Sequence, residues 1–303
     1  MFTFKDTNKF AFFRKVQMWP IAVDFDYEAW LDNFVLEEER KIAERILDSF
    51  IYIPEAMVNQ MLKTVVGRCG YYFSKVDCTW THDSFKNDCW YSFIQGEKAN
   101  DVTDSGYLFI RKLRDELGIP SSRILDFKTL LKKLETSIEP LNVILVDDFV
   151  GSGAQCDCAW NEHKLESAGM TLSDLVLKKN HKVAYAPLVS NIVGYNRILK
   201  KCSGLHLECL YKLGDEYSLL NKDGICWNGD EELFNKWIKM LYRVAIQEKI
   251  PIEEGRHVND MLGFCAQGLA IAFYHGIPDA CPAFFYWNSS TWNPLKKRHY
   301  HRD

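Results

Sequence analysis

The segment from Asn142 to Gln155, NVILVDDFVGSGAQ, constrains the fold of this chain more than any other stretch. Its apolar run Val143–Val146 is too short for a helix and predicts a buried strand. Gly151 and Gly153 then allow a tight turn whose backbone N–H groups converge. A helix that begins near Ala154 would add its positive end to the same place. The segment therefore predicts a strand, an anion-binding loop and a helix, in that order.

Two carboxylates, Asp147 and Asp148, separate the predicted strand from the loop. Carboxylates beside a phosphate cradle suit a sugar diol, a divalent cation, or both. A strand followed by two aspartates also occurs in receiver domains and in metal-dependent phosphatases. Receivers have their acidic pair near the first strand, whereas here the pair lies at mid-chain. The pattern therefore indicates a phosphorylated sugar or nucleotide as the ligand.

Helical and extended patterns alternate along the chain, which predicts an α/β fold with a mostly parallel sheet. Besides the motif strand, the predicted strands are Tyr71–Phe73, Trp90–Ile94, Val183–Val189, Leu205–Leu210 and Pro282–Trp287. The predicted helices are Trp30–Phe50, a second one from Pro54, Asp104–Leu117, one from Asp126, Ala154–Ala168, Asn191–Lys201 and Glu231–Ile246. We expect residues 1–69 to form an N-terminal helical cap and residues 70–303 to form an α/β domain with a C-terminal extension.

Composition excludes some classes of protein. The hydrophobic fraction of 47% argues against disorder, and the formal charge of −4 gives no general attraction to nucleic acid. No run approaches the ~18 apolar residues of a membrane span, and the N-terminus lacks a signal-peptide core. The ten cysteines show no zinc spacing, so we expect reduced, mostly buried thiols and a cytoplasmic protein.

The motif resembles the phosphoribosyl-diphosphate (PRPP) motif of type I phosphoribosyltransferases, in which four mostly apolar residues precede two acidic residues and a small loop. The resemblance implies that Asp147 and Asp148 are catalytic and contact the ribose hydroxyls. It implies a ribose-phosphate site made of Asp147, Asp148, Gly151, Ser152, Gly153, Ala154 and Gln155. Two positions depart from the family: Gly151 and Gln155 stand where threonines are usual.

The same resemblance implies a bound Mg²⁺ near Asp147 and Asp148, and an early loop that holds pyrophosphate. The best local match for that loop is Gln95, Gly96, Glu97 and Lys98, with Arg111 as a further candidate. Gly96 would allow close backbone approach, and Lys98 would supply positive charge. An ordinary solvent-exposed turn is the alternative for this segment.

Four features across the chain are similar to one branch, the phosphoribosyltransferase-like PRTase-CE proteins of bacterial conflict systems. They are Trp30–Phe34, the Gly96–Gly106 segment before a helix, the DDFVGSG loop, and Pro282–Arg298. This resemblance implies an antiphage effector or toxin of the retron type that binds PRPP or a nucleotide and transfers or cleaves its ribosyl phosphate.

The resemblance also implies partners: a reverse transcriptase–nucleic acid complex, other defence-system proteins, or a second copy of the chain. Two other functions stay open. One is a catalytically degenerate sensor of PRPP or a nucleotide that acts through a protein partner, and the other is a nucleobase salvage transferase. The departures at Gly151 and Gln155 count against salvage.

Overall fold

The structure is a computed structural model, and it describes residues 7–20, 24–76, 84–95, 105–164, 169–252 and 260–298. Its helices are α1 (Thr7–Lys15), α2 (Tyr27–Leu31), α3 (Glu37–Ser49), α4 (Glu55–Val76), α5 (Phe85–Asp88), α6 (Ser105–Leu117), α7 (Phe127–Thr136), α8 (Ala154–Asn161), α9 (Leu172–Lys179), α10 (Ile192–Lys201) and α11 (Glu231–Glu248). Its strands are β1 (Ile51–Ile53), β2 (Trp90–Phe93), β3 (Asn142–Val150), β4 (Lys182–Asn191), β5 (Leu205–Leu207), β6 (Tyr211–Leu213) and β7 (Ile271–Phe273).

The chain forms two compact units. One comprises Met1–Val58 together with Gly214–Asp303, and the other comprises Asn59–Leu213. The cap and α/β domain expected from the sequence meet between residues 69 and 70, which lies within α4. The candidate site belongs wholly to the second unit.

The second unit is built on a parallel sheet in the order β2-β3-β4-β5, with β6 pairing the far end of β4. The predicted α/β class and mostly parallel sheet are therefore confirmed. Because each parallel connection in this sheet includes helices, both sheet faces are covered and the central strands can be apolar throughout. The side chains of β3 from Val143 to Val146 are all completely buried.

Strand alternation assigns the helices of this unit to two faces. On one face, Val143 and Leu145 join an apolar cluster with residues of α7, α8, α9 and α10. On the other face, Phe93 pairs with Val146. A Cβ built on Gly106, in α6, would lie 2.0 Å from the Phe93 ring, so α6 packs on that second face. The sheet is therefore sandwiched between two helical layers.

The first unit has an aromatic core. Trp30 is completely buried, and its ring packs against those of Phe284 and Phe285. The indole N–H groups of Trp30 and Trp292 both donate to the carbonyl of Phe284. Within this unit, β1 and β7 form a two-stranded parallel pair. Trp292, near the C-terminal end of the chain, therefore serves the core.

Two predicted strands are wrong. Tyr71–Phe73 belongs to α4, whose buried positions Val58, Leu62, Val65 and Phe73 keep helical spacing to the end of the helix. The run Pro282–Trp287 contains a 3₁₀ turn at Ala283–Phe285 in place of a strand. A fully buried apolar run has no periodicity, so its pattern cannot separate a strand from a turn.

Two other elements are shorter than expected. The helix after the loop, α8, ends at Asn161, and residues 165–168 of the predicted helix lie outside the described ranges. The predicted strand Leu205–Leu210 ends at Leu207, and the chain forms β6 after a short break. The predicted helix Trp30–Phe50 is divided in two: α2 ends at Leu31 and α3 begins at Glu37. The remaining predicted strands and helices are confirmed to within a few residues at each end.

His181 joins the end of α7 to the start of β3 and is 4% exposed. The Leu141 N–H donates to its Nδ1 at 2.9 Å, so the ring proton is on Nε2, which donates to the Leu134 carbonyl at 3.0 Å. Burial lowers the pKa of His181, outweighing the opposite effect of the Leu134 carbonyl.

This geometry predicts that acid weakens the fold through His181. The unfolded chain binds a proton near pH 6.5, and the folded state resists it, so the free energy of unfolding falls as pH drops below about 6.5. We expect His181→Gln to lose less stability than the wild type between pH 7 and pH 5 in chemical denaturation. His163→Gln, at a histidine outside this pair of bonds, should keep the wild-type pH slope. An unchanged slope in His181→Gln would contradict the prediction.

Candidate functional site

The two carboxylates at the end of β3 differ in burial. Consecutive side chains of a strand point to opposite faces, so Asp147 shares a face with Leu145. Leu145 pairs with Tyr185 of β4, which places Asp147 and Tyr185 on one face. Asp148 is partly exposed, and its Oδ1 accepts a hydrogen bond of 3.0 Å from the Phe149 N–H. The two predicted catalytic carboxylates therefore have different surroundings.

Asp147 is held inside the protein. Its Oδ2 accepts a hydrogen bond of 2.5 Å from the Tyr185 hydroxyl, and its Oδ1 accepts one of 2.9 Å from the Asp148 N–H. Tyr185 is 1% exposed and Asp147 is 8% exposed. Burial, followed by the nearby Asp147 charge, raises the pKa of Tyr185 well above its ordinary value. The phenol therefore stays protonated and serves as a fixed donor to the carboxylate.

The loop after β3 has the geometry of an anion cradle. Gly153, with φ of +72°, is the N-cap residue of α8, a conformation that glycine adopts without steric cost. The Ser152 hydroxyl oxygen accepts a hydrogen bond of 3.3 Å from the Ala154 N–H. Among the described residues, no group accepts a hydrogen bond from the N–H groups of Gly151, Ser152 or Gly153. Three backbone donors at a helix start form an anion-binding arrangement.

A glycine outside the motif packs against this loop and fixes its backbone. Gly194 lies in the first turn of α10, and a Cβ built there would stand 2.3 Å from the Gly151 oxygen and 2.9 Å from the Gly153 nitrogen. Real Cβ atoms essentially never come this close, so only glycine fits. The available signal was a glycine within a predicted helix, where it is intrinsically unfavourable.

A polar link fastens α8 to α10 beside the same loop. The guanidinium of Arg197 donates to the Asp157 carboxylate at 2.9 Å, and the Asn161 amide bonds both Asp157 and the Lys201 carbonyl. Burial alone would raise the pKa of Asp157, but the hydrogen bonds from Asn161 and Arg197 lower it below its ordinary value. Asp157 therefore remains charged and keeps the two helices paired.

The side chain of Gln155 makes a contact within the protein, and its predicted place in the ribose-phosphate site stays a prediction. Its side-chain amide donates to the backbone carbonyl of Ile94 at 3.1 Å, where β2 has just ended. The structure thus brings Gln155 next to Gln95, the first residue of the predicted pyrophosphate segment. Gln95 is partly buried. Gly96, Glu97 and Lys98 lie outside the described residues.

Arg111 points along the surface of α6. Its side chain is 74% exposed and pairs with Asp115 one turn later at 3.4 Å. It lines a shallow groove of about 390 Å³ with Tyr107, Arg114 and Ser121 among others. No contact of Arg111 with the loop residues is present in the described parts of the chain. Its predicted role with pyrophosphate stays a prediction.

The comparison with known families decides the relationship of this chain. Residues 27–298 match the PRTase-CE family. The chain belongs to this family. It is accordingly a phosphoribosyltransferase-like protein. No curated protein and no solved structure matches it.

The PRTase-CE match includes the whole candidate site, from β2 to α10. Within the described residues, no group of three or more His, Cys, Asp or Glu side chains could hold a metal ion. Mg²⁺ commonly needs only one or two carboxylates, because ligand phosphates and waters complete its shell. Asp148 accepts a hydrogen bond from the Phe149 N–H, and both oxygens of Asp147 accept protein hydrogen bonds. Asp148 fits that use better because it is partly exposed, whereas Asp147 is 8% exposed.

Two further expectations concern the cysteines and the membrane. All described cysteines of this PRTase-CE protein are free thiols, and most are buried. None of the helices in the described ranges combines the length and the apolar character needed to cross a membrane.

Proposed function

We propose that this PRTase-CE protein binds the 5′-phosphate of PRPP, or of a related ribose-phosphate nucleotide, in the loop from Gly151 to Gly153. The observation that supports this most directly is the set of three loop N–H groups, for which the described residues supply no acceptor. A phosphate oxygen is the acceptor that such a loop at a helix start favours. The loop leaves the carboxyl end of a parallel strand, where open α/β sheets bind ligands.

The two aspartates have separate roles in this proposal. Asp148, which is partly exposed, accepts hydrogen bonds from the ribose hydroxyls. Asp147, held by Tyr185 and the Asp148 N–H, fixes the end of β3 and the backbone of its neighbour. In this proposal the protein positions the ligand and does little acid–base chemistry. Positioning and charge stabilisation are what the departure of pyrophosphate from a ribosyl centre requires. Bound Mg²⁺, with Asp148 as its protein ligand, would neutralise the leaving charge.

The biological role that we propose is that of an effector in antiphage defence of the retron type. Membership of the PRTase-CE family supports it. In this role the protein transfers or cleaves the ribosyl phosphate of its ligand. Its partners are a reverse transcriptase–nucleic acid complex or other defence proteins.

A ligand sensor without turnover is the second candidate, and one observation favours it. Asp147 is 8% exposed, and both of its oxygens accept hydrogen bonds from the protein. A carboxylate buried and held in this way offers a ligand little accessible surface. The pair that the family motif suggests as catalytic thus offers one accessible carboxylate where two are expected.

Calorimetry with ribose, ribose 5-phosphate and PRPP tests the proposed ligand. We expect the two phosphorylated ligands to bind at least about tenfold more tightly than ribose, because charge-assisted bonds from the loop N–H groups reach only a phosphate. Equal affinity for ribose and ribose 5-phosphate would refute the proposed site.

Pyrophosphate release with PRPP separates the enzyme from the sensor. In an active enzyme, Asp148→Asn should reduce release by about a hundredfold, as expected when a group that acts in the transition state is lost. Asp48→Asn, which removes one exposed carboxylate from α3 in the first unit, should keep the wild-type rate. PRPP binding without any release by the wild type would favour the sensor.

A further inference from the structure

Lys212 lies in the same row of the sheet as the start of the candidate phosphate loop. Val150, at the end of β3, pairs with Ser190 of β4, and Ser190 pairs in turn with Lys212 of β6. Neighbouring strands lie about 4.8 Å apart, so two spacings separate the backbone of Lys212 from that of Val150 by about 10 Å. Val150 immediately precedes Gly151, the first residue of the loop. This row therefore brings a cation to the edge of the sheet at which the loop begins.

The side chain of Lys212 packs against the helix that supports the loop. Its Nζ lies 4.5 Å from the centre of the Tyr195 ring, and Tyr195 is in the first turn of α10. The preceding residue, Gly194, packs on the loop backbone, and a Cβ built there would stand 2.7 Å from Val150 Cγ1. The ammonium group of Lys212 and the loop therefore contact the same turn of α10.

The electrostatic surroundings of Lys212 favour a bound anion. Among the described residues, no carboxylate forms an ion pair with Lys212, whereas Arg197 of α10 is paired with Asp157. A cation is favoured at the end of a helix and disfavoured at its start, where the backbone N–H groups already give a positive partial charge. Lys212 therefore adds its charge to the positive end of α10. The loop beside it has N–H groups for which the described residues supply no acceptor.

We propose that Lys212 strengthens the binding of a phosphate dianion in the loop from Gly151 to Gly153, through its charge and without direct contact. The inference rests on the proposed function, and it gives a role to a residue outside the motif. At about 10 Å in water, the attraction between one positive charge and a phosphate dianion corresponds to about fourfold in affinity, and salt screens it. Contact with the Tyr195 ring holds the ammonium group in place.

The test uses substitutions that separate the charge of Lys212 from its packing. Lys212→Met removes the charge and keeps most of the length of the side chain, and Lys212→Arg keeps the charge. Lys200→Met is the matched control, because Lys200 is an exposed lysine in the last turn of α10. Calorimetry measures the affinity for ribose 5-phosphate at low salt and at about 0.5 M salt. Urea denaturation measures the stability of each protein without ligand.

At low salt, we expect Lys212→Met to bind ribose 5-phosphate about fourfold more weakly than the wild type, and at about 0.5 M salt the difference should fall below about twofold. Lys212→Arg and Lys200→Met should stay within about twofold of the wild type at both salt concentrations. The stability of Lys212→Met should stay close to that of the wild type, because loss of the ring contact and relief of repulsion from the helix start oppose each other.

Three results would overturn the inference. Wild-type affinity of Lys212→Met at low salt would refute it and leave the proposed function standing. A loss of affinity that persists at high salt, or that is equally large in Lys212→Arg, would refute it as well, since the substitution would then act by disturbing β6. If the wild type does not bind ribose 5-phosphate, the proposed function fails and this inference fails with it.

Discussion

Gly194→Ala should lose phosphate binding almost completely, although it lies outside the motif. The added Cβ would meet the Gly151 oxygen at 2.3 Å and the Gly153 nitrogen at 2.9 Å, both backbone atoms. Backbone cannot rotate away as a side chain can, so the loop must shift. We expect at least a tenfold loss of ribose 5-phosphate affinity, together with about 1–3 kcal/mol of overpacking strain. Calorimetry and chemical denaturation measure the two effects.

Gly67→Ala is the matched control for this substitution. Gly67 also lies within a helix of the same unit, but a Cβ built there has no heavy atom within 4 Å. Relief of the intrinsic helix penalty should stabilise that variant by up to about 1 kcal/mol and leave binding unchanged. Wild-type affinity in a folded Gly194→Ala variant would show that the loop does not depend on this contact.

Local sequence patterns correctly predicted the strand, loop and helix that carry the candidate site. The run Val143–Val146, the loop glycines and the helix starting at Ala154 follow from residue types at fixed spacing, and the structure has all three. Asp126 and Asn191 likewise cap helices where the sequence suggested helix starts. Capping and turn chemistry depend on near neighbours in the chain, so a single sequence expresses them.

The parts of the site that the sequence did not predict depend on contacts between distant segments. Gly194 fits against Gly153 because α10 and α8 pack together, and Gln155 reaches Ile94 because β2 lies on that side of β3. Neither contact leaves a periodic signal in the sequence. The adjacent aspartates suggested one joint site, yet Asp147 is buried against Tyr185 while Asp148 is partly exposed. That difference depends on Tyr185 of the neighbouring strand, which the motif does not contain.

The wrong strands have a related cause. Tyr71–Phe73 has the aromatic residues typical of strands, but the apolar spacing of α4 continues through it and decides the structure. At Ala283–Phe285 the rings are completely buried among the aromatic residues of the first unit. The backbone conformation of such a segment is determined by tertiary packing.

Tyr185→Phe should destabilise the protein by about 2–3 kcal/mol, the upper range for a hydrogen bond to a charged group. The substitution deletes the hydroxyl that donates to Asp147 at 2.5 Å and leaves a carboxylate of 8% exposure one donor short. Tyr91→Phe is the matched control: its hydroxyl donates to the neutral Phe85 carbonyl at 3.1 Å, and Tyr91 is completely buried in the neighbouring β2. It should cost about 1 kcal/mol. Urea denaturation measures both.

A double-mutant cycle with Asp147→Asn shows whether the cost comes from the charge. Asp147→Asn replaces the carboxylate by a neutral amide. In the Tyr185→Phe background, the carboxylate has lost its phenol donor, so replacing it should restore part of the lost stability. We expect a coupling of at least about 1 kcal/mol between the two positions. If the two substitutions are additive, or if Tyr185→Phe costs no more than Tyr91→Phe, Asp147 does not depend on Tyr185. Asp147 would then be able to turn toward a ligand, which would remove the structural reason for preferring a sensor over an enzyme.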